Sequence, residues 1–358
     1  MTNYFKYSSW GDYVINELTI DVAECIPGMK VSQDISNNYG AILLHKDTVL
    51  DYYTINKLMN LGIEKLKVLE EFESKVITES TVTATYVEKV NEFKTIIKDI
   101  GNGKTLDTLK VQTIVNDLQN SFTSVNDIVS NLNGIRSIDE YTYSHSVNVS
   151  LLCFLIGSWL NLSPVQKKIL SYCGLLHDIG KSKISQEILN KPGPLTPKEY
   201  EEMKKHSVLG YKILEANIAI SKDVMIGVLL HHEREDGSGY PFGIKGDQIS
   251  LYAKIISIAD VFDAITSDRV YRKRQTPFDV LQMYESEYLT KCNTSILLTF
   301  LNRIAHYYIG SRVRLSNDSW GEIVFINQSS ISKPMIKLED SSIIDLSIEK
   351  NISIVEIF

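Results

Sequence analysis

The chain has 358 residues, of which 44% are apolar and 23% are charged, and its formal net charge is −7. This composition is ordinary for a folded globular protein and excludes bulk disorder. Proteins that bind DNA or RNA by neutralising phosphates usually present a basic face, so the acidic balance argues against a macromolecular nucleic acid as partner. The length suits two or three folded units at roughly 100–200 residues each.

Nothing in the sequence predicts secretion or membrane insertion. The longest apolar stretch, residues 149–160, is shorter than the roughly 20 residues that span a bilayer. The N-terminus lacks a basic region followed by an apolar one, which is the pattern of a signal peptide. The four cysteines are scattered without a CxxC pair, which predicts reduced and mostly buried thiols. We therefore expect a cytoplasmic protein with no membrane partner.

Residues 1–76 are predicted to form a small α+β domain with a regulatory role. GAILLHKDTVL (40–50) contains short apolar runs bounded by Gly, Lys and Asp, which is typical of strands. Residues 52–69 then predict a short helix that stops at Gly62 and a strand that follows it.

Residues 77–135 have the pattern of a helical hairpin that connects two domains. Apolar residues recur at spacings of three and four on both sides of a GNGK turn (101–104). The first stripe consists of Tyr86, Val90, Phe93, Ile97 and Ile100. Such a stripe suits packing on the core of its own domain, and its heptad-like spacing also suits a dimer seam that transmits a signal. Both interpretations stay open, and we expect a homodimer.

The rest of the chain is predicted to be a helical catalytic domain over 136–308 and a small β domain over 309–358. The run from Thr196 to Glu199 (TPKE) combines an N-cap, a Pro at the first helical position and a capping-box Glu, so it predicts the start of a helix that continues through His206. Short alternating runs separated by turn residues predict the β domain. The predicted fold class is thus mainly α, with an all-helical catalytic domain between small β-containing domains.

Histidines are concentrated in the predicted helical domain. Five of the seven lie between residues 145 and 232, at sites that are otherwise apolar. A single apolar-flanked His is more often a satisfied core residue, but five of them with accompanying aspartates on at least four helices indicate metal ligation. The candidate ligands are His145, His177, Asp178, His206, His231, His232 and Asp260.

The order of these residues suits a centre with two cations. His177 and Asp178 are adjacent near a helix end, where an aspartate can bridge two cations while imidazoles take terminal positions, and His231 and His232 repeat this arrangement. Asp260 lies on a helix that is apolar nearly all round, and a buried carboxylate needs a cation or strong hydrogen bonds. Imidazole-rich ligation favours Fe, Mn or Zn over Mg or Ca. Two cations roughly 3.5–4 Å apart can drive an in-line phosphoryl displacement.

Three motifs together closely resemble the HD-GYP domain, a branch of the HD phosphohydrolase superfamily. They are HDIGK (177–181), HHEREDGSGYP (231–241) and IADVFDAITSDRVYR (258–272). HDIGK alone indicates only the superfamily, whereas the DGSGYP loop gives the narrower assignment. The resemblance covers about residues 136–300, and segments 26–35 and 309–324 resemble regions that often accompany this domain in bacterial proteins.

Members of that family hydrolyse cyclic di-GMP through a bi- or trinuclear, commonly iron, centre. The resemblance implies that the candidate residues above are the metal ligands and that Lys181 contacts the scissile phosphate or assists the leaving oxygen. It implies that Arg269 and Arg272 clamp substrate phosphate, which suits the planar fork of Arg. It further implies that Tyr240 stacks on or hydrogen-bonds the ligand, and that Asp263, among the substrate-binding residues, orients a ligand or a water.

Two departures from the family pattern bear on the site. Members with three metals carry a Glu one helical turn before the first His, where this chain has Tyr141, with Glu140 one residue away. We therefore expect two divalent ions, iron first and manganese as the alternative. Val270 stands where the family usually has Pro, so the loop that carries Arg269 is expected to be looser.

The leading hypothesis is a phosphodiesterase that opens cyclic di-GMP to linear pGpG, and further to GMP, with Asp178 and Lys181 as its catalytic residues. A second hypothesis is the same chemistry on another cyclic dinucleotide or on a nucleotide. A third is a receptor that binds cyclic di-GMP without turnover and signals through the 80–134 helices or the outer domains. The complete ligand set favours an enzyme, because a receptor need not keep every ligand.

Overall fold

A computed structural model of the chain describes residues 13–22, 25, 29–36, 42–50, 52–73, 79–122, 128–129, 141–267 and 275–358. The chain divides into two compact units, Met1–Thr78 and Glu79–Phe358. Each unit has its own hydrophobic core. Most of the second unit is helical and short strands occur in both, so the predicted fold class is confirmed. The finer division of the second unit into three domains stays a prediction.

The described residues of the first unit form strands and one helix. Its elements are β1 (Tyr13–Asp21), β2 (Lys30–Val31), β3 (Ile35–Ser36), β4 (Ile42–Leu44), α1 (Tyr52–Asn60) and β5 (Lys65–Glu73). Strand β5 pairs antiparallel with both β1 and β2, while β3 and β4 form a separate two-stranded sheet. Gly62 follows α1 with a φ of 73°, a left-handed conformation that glycine adopts without steric cost, so the predicted helix stop is present.

The second unit begins with a helical hairpin and continues through nine further α-helices in its described residues. The helices are α2 (Glu79–Gly101), α3 (Thr108–Ser121), α4 (Tyr141–Trp159), α5 (Pro164–Leu176), α6 (Gln186–Leu189), α7 (Pro197–Lys204), α8 (His206–Glu215), α9 (Lys222–Leu230), α10 (Leu251–Thr266), α11 (Pro277–Met283) and α12 (Thr294–Tyr307). A 3₁₀ turn (Ile179–Lys183) follows α5, and a π-helical turn (Tyr284–Tyr288) follows α11. The hydroxyls of Ser163, Ser221 and Ser250 accept hydrogen bonds from backbone N–H groups in the first turns of α5, α9 and α10, which fixes where these helices begin.

The hairpin of α2 and α3 packs on the helices that follow it. Buried apolar residues of the hairpin and of α4, α5 and α10 belong to one continuous core. Examples from these five helices are Phe93, Val111, Leu152, Cys173 and Ile256. The apolar stripe of the hairpin is therefore buried within this chain, whereas a role in a dimer seam stays a prediction.

One helix differs from its prediction. The capping box at the start of α7 is present, but this helix ends at Lys204 and α8 begins at His206. The Lys205 N–H bonds the Glu202 carbonyl three residues back, at 3.1 Å, which tightens the chain into a 3₁₀-type turn. The Met203 carbonyl lies 2.7 Å from Nδ1 of the His206 ring. The break therefore coincides with the point at which the His206 side chain turns into the core, where it is 1% exposed.

The C-terminal segment forms a five-stranded antiparallel sheet, as the alternating runs predict. Its strands are β6 (Arg312–Leu315), β7 (Trp320–Asn327), β8 (Ser330–Leu338), β9 (Ile343–Asp345) and β10 (Ile354–Ile357), in the spatial order β10-β6-β7-β8-β9. Inward residues such as Val313 and Ile323 belong to the same core as the helices. Glu285, in the π-helical turn, accepts hydrogen bonds from the backbone N–H of Ile331 and the hydroxyl of Ser332, which fixes the sheet to the helices.

The predicted buried thiols are present. All four cysteines are buried and none forms a disulfide. Burial raises the pKa of Cys153 and Cys173, so these thiols stay protonated and pack as small apolar groups. Within the described part of the chain, no helix combines the length and the apolar character needed to cross a bilayer.

Candidate metal centre

The ends of several helices meet at one buried place in the second unit. His177 directly follows α5, His206 opens α8, and His231 directly follows α9. His145 and Asp260 come from within α4 and α10. The exposed fraction of His145, His177, His206 and His231 is 2% or less. Helix packing therefore gathers these imidazoles in one place that water hardly reaches.

The ligand atoms form two groups that share one aspartate. The first group is Asp178, His206, His231 and His232, and the second is His145, His177 and Asp178. Within each group the ligand atoms lie within 4.8 Å of one another. Oδ1 of Asp178 is 3.4 Å from Nε2 of His206, whereas its Oδ2 is 3.3 Å from Nε2 of His177. Each oxygen of this carboxylate thus faces a different group, as in a bridging ligand.

Asp260 adds a second carboxylate beside the second group. Its Oδ1 lies 3.1 Å from Nε2 of His145 and 3.9 Å from Nε2 of His177. Burial acts to raise its pKa, but the hydrogen bond with His145 and the electrostatic interaction with His177 outweigh burial and hold the pKa well below its usual range. The pKa of Asp178 is also held low against burial, by His177 and Lys181. Both carboxylates are therefore anionic, which suits a cation.

The ring nitrogens that face away from the centre are engaged by backbone carbonyls. Nδ1 of His177, His206 and His231 lies 2.8, 2.7 and 2.6 Å from the carbonyl oxygens of Gly174, Met203 and Val228. A carbonyl can only accept, so each Nδ1 carries the proton and each Nε2 keeps its lone pair. This is the tautomer that a metal ligand requires.

Several acceptor atoms in the centre lack a donor. Nε2 of His206 lies 3.3 Å from Nε2 of His231, so two lone pairs face each other. Nε2 of His177 and Oδ1 of Asp178 are buried and have no hydrogen-bond partner among the described residues. Unpaired buried acceptors are costly, and a divalent cation would satisfy them. The residues present therefore fit divalent metal ions, and their mixed nitrogen and oxygen donors suit a first-row transition metal.

Burial keeps most of the imidazoles neutral. It lowers the pKa of His206 to about 4 and, together with His177 and His206, that of His231 to about 3. Burial also places the pKa of His232 well below its usual value. His145 differs, because hydrogen bonds to two carboxylates outweigh its burial and raise its pKa to about 9. Neutral imidazole is the form that binds metal, so metal binding at His145 releases a proton.

The HDIGK turn brings two further features to the centre. Nζ of Lys181 lies 2.5 Å from Oδ2 of Asp178, and the Lys181 side chain is 27% exposed. A Cβ on Gly180 would overlap the carbonyl oxygen of His206 and lie 2.5 Å from the backbone nitrogen of Gly210. Glycine at position 180 therefore permits the close approach of α8 that brings His206 to Asp178.

The DGSGYP loop lies against the first ligand group. The Tyr240 ring stacks on the His232 ring, with 4.5 Å between centroids and 29° between planes. Glu233, which is 2% exposed, accepts hydrogen bonds from the backbone N–H groups of Phe242 and Ile244 at 2.7 and 3.1 Å. A buried carboxylate therefore anchors this loop and places an aromatic ring at the edge of the centre.

Asp263 lies beside His145 in the core, and its predicted substrate-binding role stays a prediction. Its side chain is 1% exposed. Its Oδ2 is 2.7 Å from Nδ1 of His145, and its Oδ1 accepts a hydrogen bond from Nδ2 of Asn148 at 2.8 Å. With both oxygens occupied in the core, Asp263 is placed to orient His145.

Three residues that support the centre were missed by sequence reasoning. Asn148 follows His145 by three positions on α4, which puts both on one helix face, and this spacing could have indicated it. Glu233 directly follows the His231-His232 pair. Tyr86, whose buried hydroxyl donates a hydrogen bond to Oδ1 of Asn148, gave no polar signal, because its place in an apolar stripe predicts only packing.

Four residues named from the sequence lie outside the described part of the chain. They are Glu140, Arg269, Val270 and Arg272. Tyr141 is the first residue of α4, four positions before His145. The phosphate-clamping role expected of the two arginines therefore stays a prediction.

Comparison with known proteins identifies the family. Residues 130–292 match the family model described as HD domain. Residues 130–292 of this chain therefore form an HD domain. The resemblance to the HD-GYP branch is confirmed, and the HD domain of this chain has a solved structural neighbour, Bd1817, described as an HDG"Y"P protein from Bdellovibrio bacteriovorus. The two structures have a TM-score of 0.52 at 16% identity, over 81% of this chain and 99% of the other, so this likeness speaks for the fold.

Three proteins similar to this chain have names that state an activity. The chain is 33% identical to the cyclic di-GMP phosphodiesterase PA4108 of Pseudomonas aeruginosa, over 68% of this chain and 58% of that protein. It is 42% identical to the cyclic di-GMP phosphodiesterase response regulator RpfG of Xanthomonas campestris, over 38% and 37% of the two chains. It is 39% identical to the 3'3'-cGAMP-specific phosphodiesterase 1 of Vibrio cholerae, over 43% and 36%. The chain thus spans little more than half of the first relative and about a third of the other two.

Proposed function

We propose that this chain is a metal-dependent phosphodiesterase that hydrolyses cyclic di-GMP. The observation that carries the proposal is the pair of ligand groups joined by Asp178, which directs one oxygen to each group. Such a pair of adjacent sites suits phosphoryl displacement. Two of the relatives above, at 33% and 42% identity, are named cyclic di-GMP phosphodiesterases, which supports this substrate.

We assign two divalent cations to the centre, with iron expected and manganese as the alternative. The first would be held by Asp178, His206, His231 and His232, and the second by Asp178, His145, His177 and Asp260. When bound, such a pair supplies Lewis-acid stabilisation of phosphate charge and activation of water at neutral pH. The ionised carboxylates and the neutral imidazoles of His206, His231 and His232 are already in the protonation states that this requires, whereas His145 would release a proton on metal binding.

Residues around the centre would bind and orient the dinucleotide. The Lys181 ammonium, next to the bridging carboxylate, would contact the scissile phosphate or give a proton to the leaving oxygen. The Tyr240 ring would stack on a base, an interaction that contributes about 1–3 kcal/mol per base in proteins that bind single strands. We expect Arg269 and Arg272 to clamp phosphate bidentately. The first product would be linear pGpG, with GMP as the product of a second round.

Replacing Lys181 with Gln is expected to lower kcat on the order of 10²-fold and leave the metal content unchanged. The rate should fall because the Lys181 ammonium would no longer contact the scissile phosphate or the leaving oxygen. The metal content should stay the same because Nζ donates to Asp178 and is not itself a metal ligand. Initial rates and bound metal would be measured on the same sample. The matched control is Lys222→Gln at the exposed start of α9, which should behave as the unaltered chain. Unchanged kcat in Lys181→Gln would show that this lysine takes no part in the reaction.

A second candidate substrate is the hybrid dinucleotide 3'3'-cGAMP. Three relatives at 39%, 40% and 34% identity are named 3'3'-cGAMP-specific phosphodiesterases. The described residues of the centre would act on the phosphodiester in the same way in either substrate. The choice between them then depends on contacts to the bases, for which Tyr240 is the best-placed described residue.

The function is tested by turnover with protein purified anaerobically and loaded separately with Fe(II) and Mn(II). Cyclic di-GMP, 3'3'-cGAMP and pGpG would be supplied in parallel, products resolved by chromatography, and metal measured per chain. We expect pGpG from cyclic di-GMP with two metals per chain. A higher kcat/KM for 3'3'-cGAMP would favour the second candidate. Binding of cyclic di-GMP without product from either dinucleotide, despite full loading, would indicate a receptor.

A further inference from the structure

A chain of buried hydrogen bonds leads from α2 to the metal centre. The Tyr86 hydroxyl lies 2.6 Å from Oδ1 of Asn148, and Nδ2 of Asn148 lies 2.8 Å from Oδ1 of Asp263. Oδ2 of Asp263 lies 2.7 Å from Nδ1 of His145. All four residues are 3% exposed or less. These hydrogen bonds join three helices, α2, α4 and α10, and end on a predicted metal ligand.

The direction of every hydrogen bond in this chain is fixed by chemistry. An ionised carboxylate can only accept, so Asn148 must present its NH₂ group to Asp263 and its oxygen to Tyr86. The Tyr86 hydroxyl must therefore donate. By the same argument Nδ1 of His145 keeps its proton when the ring is neutral, so the proton released on metal binding comes from Nε2, whose lone pair then serves the second ligand group. The chain thus fixes both the tautomer and the orientation of His145.

A second contact joins α2 to the same centre. Nζ of Lys183 donates a hydrogen bond to the backbone carbonyl of Ile100 at 2.6 Å, near the end of α2. A cation is favoured at that position, because the C-terminus of a helix carries partial negative charge. Lys183 lies in the 3₁₀ turn that also carries Lys181, directly after Asp178. Helix α2 therefore contacts supports of both His145 and Asp178, although it lies outside residues 130–292 that match the HD domain.

We propose that Tyr86 is a positioning residue for the metal ligand His145, acting through Asn148 and Asp263. The proposal rests on the two-cation centre of the proposed function. Groups that hold the second nitrogen of a ligating His orient its ring, and their loss typically weakens metal binding about 10- to 100-fold. Without the Tyr86 hydroxyl, the Asn148 amide loses a donor and can rotate, so Asp263 holds His145 less firmly. No residue of the first ligand group belongs to this series of hydrogen bonds, so metal binding by the first group should be unaffected.

The test is titration of Tyr86→Phe with Mn(II), with free ion followed by electron paramagnetic resonance. We expect roughly 10-fold weaker binding of one of the two Mn(II) ions and unchanged binding of the other. At limiting Mn(II), kcat should fall while KM for cyclic di-GMP stays the same. The matched control is Tyr284→Phe, since Tyr284 is fully buried and its hydroxyl donates to the Ile258 carbonyl. A merely structural role for Tyr86 predicts that both variants lose thermal stability and that neither changes Mn(II) affinity.

A second variant and a double variant complete the test. Asn148→Ala interrupts this series of hydrogen bonds one residue closer to the centre and should weaken the same Mn(II) site. If Tyr86 acts through Asn148, the double variant should bind Mn(II) no more weakly than Asn148→Ala alone. The inference would be overturned if the losses of Mn(II) affinity in the two single variants added up in the double variant, or if Tyr86→Phe bound both Mn(II) ions as the unaltered chain does. Either result could be obtained with an unaltered chain that is active, so the proposed function would stand. Two Mn(II) sites in an unaltered chain that turns over neither dinucleotide would instead overturn the proposed function, and the comparison of Mn(II) affinities would still stand.

Discussion

Replacing Asp178 with Asn is expected to lower kcat by about 10³-fold or more, equivalent to about 4 kcal/mol, and to reduce the bound metal below two ions per chain. An amide has one oxygen and one NH₂ group, so it cannot offer an acceptor to both ligand groups, and its NH₂ would face a cation. Among the described residues, only Asp178 belongs to both groups. Initial rates after Fe(II) or Mn(II) loading, with metal content from the same samples, measure both effects.

The matched control is Asp247→Asn, since Asp247 is an exposed aspartate in the short 3₁₀ turn before α10. It should keep full activity and metal content. Circular dichroism would establish that Asp178→Asn is folded. An Asp178→Asn variant that kept two metals and activity within tenfold of the unaltered chain would rule out a centre built on one shared carboxylate.

Gly180→Ala is expected to destabilise the second unit by about 3 kcal/mol or more, toward the upper end of what overpacking costs. The new Cβ would overlap the His206 carbonyl oxygen and press on the Gly210 backbone nitrogen. Both are backbone atoms of α8, so no flexible side chain can move aside. Because α8 would have to retreat, His206 would also leave Asp178. Urea unfolding, read as a lower midpoint at constant m-value, measures the loss.

The matched control is Gly101→Ala at the last residue of α2. A Cβ there would meet only the Ser182 carbonyl oxygen, at an ordinary 3.8 Å. Alanine in a compatible helical position usually changes stability by under about 1 kcal/mol, and often favourably. If Gly180→Ala were as stable as Gly101→Ala, the close approach of α8 would not be what requires glycine.

The ligand set of the centre could be anticipated from the sequence, because each ligand stands in a short motif or in an apolar run where a polar residue needs a reason. The structure brings His145 into a group with His177 and Asp178, although Tyr141 stands where members with three metals carry a Glu. The helices of the second unit and the C-terminal strands could also be predicted from the periodicity of apolar residues. Local patterns sufficed for these features, since each depends on neighbouring residues.

The hydrogen bonds behind the ligands could not be anticipated. Tyr86 and Asn148 are 62 positions apart, and Asn148 and Asp263 are 115 apart, so their pairing depends on how three helices pack. Periodicity reports which face of a helix is buried and not which residue it meets. For the same reason the contact between Asp263 and His145 was not expected, and neither was the break at Lys205 within an unbroken helical pattern.

The single core of the second unit bears on how this protein can be divided and recombined. Val313 and Ile323 of the C-terminal sheet share that core with the hairpin and the HD helices, and Glu285 accepts hydrogen bonds from Ile331 and Ser332 of β8. A fragment limited to residues 130–292 would lose both partners and expose apolar surface on each side. The division after Thr78 separates two compact units, whereas a junction near residue 308 would cut through the apolar core that the helices share with the C-terminal sheet.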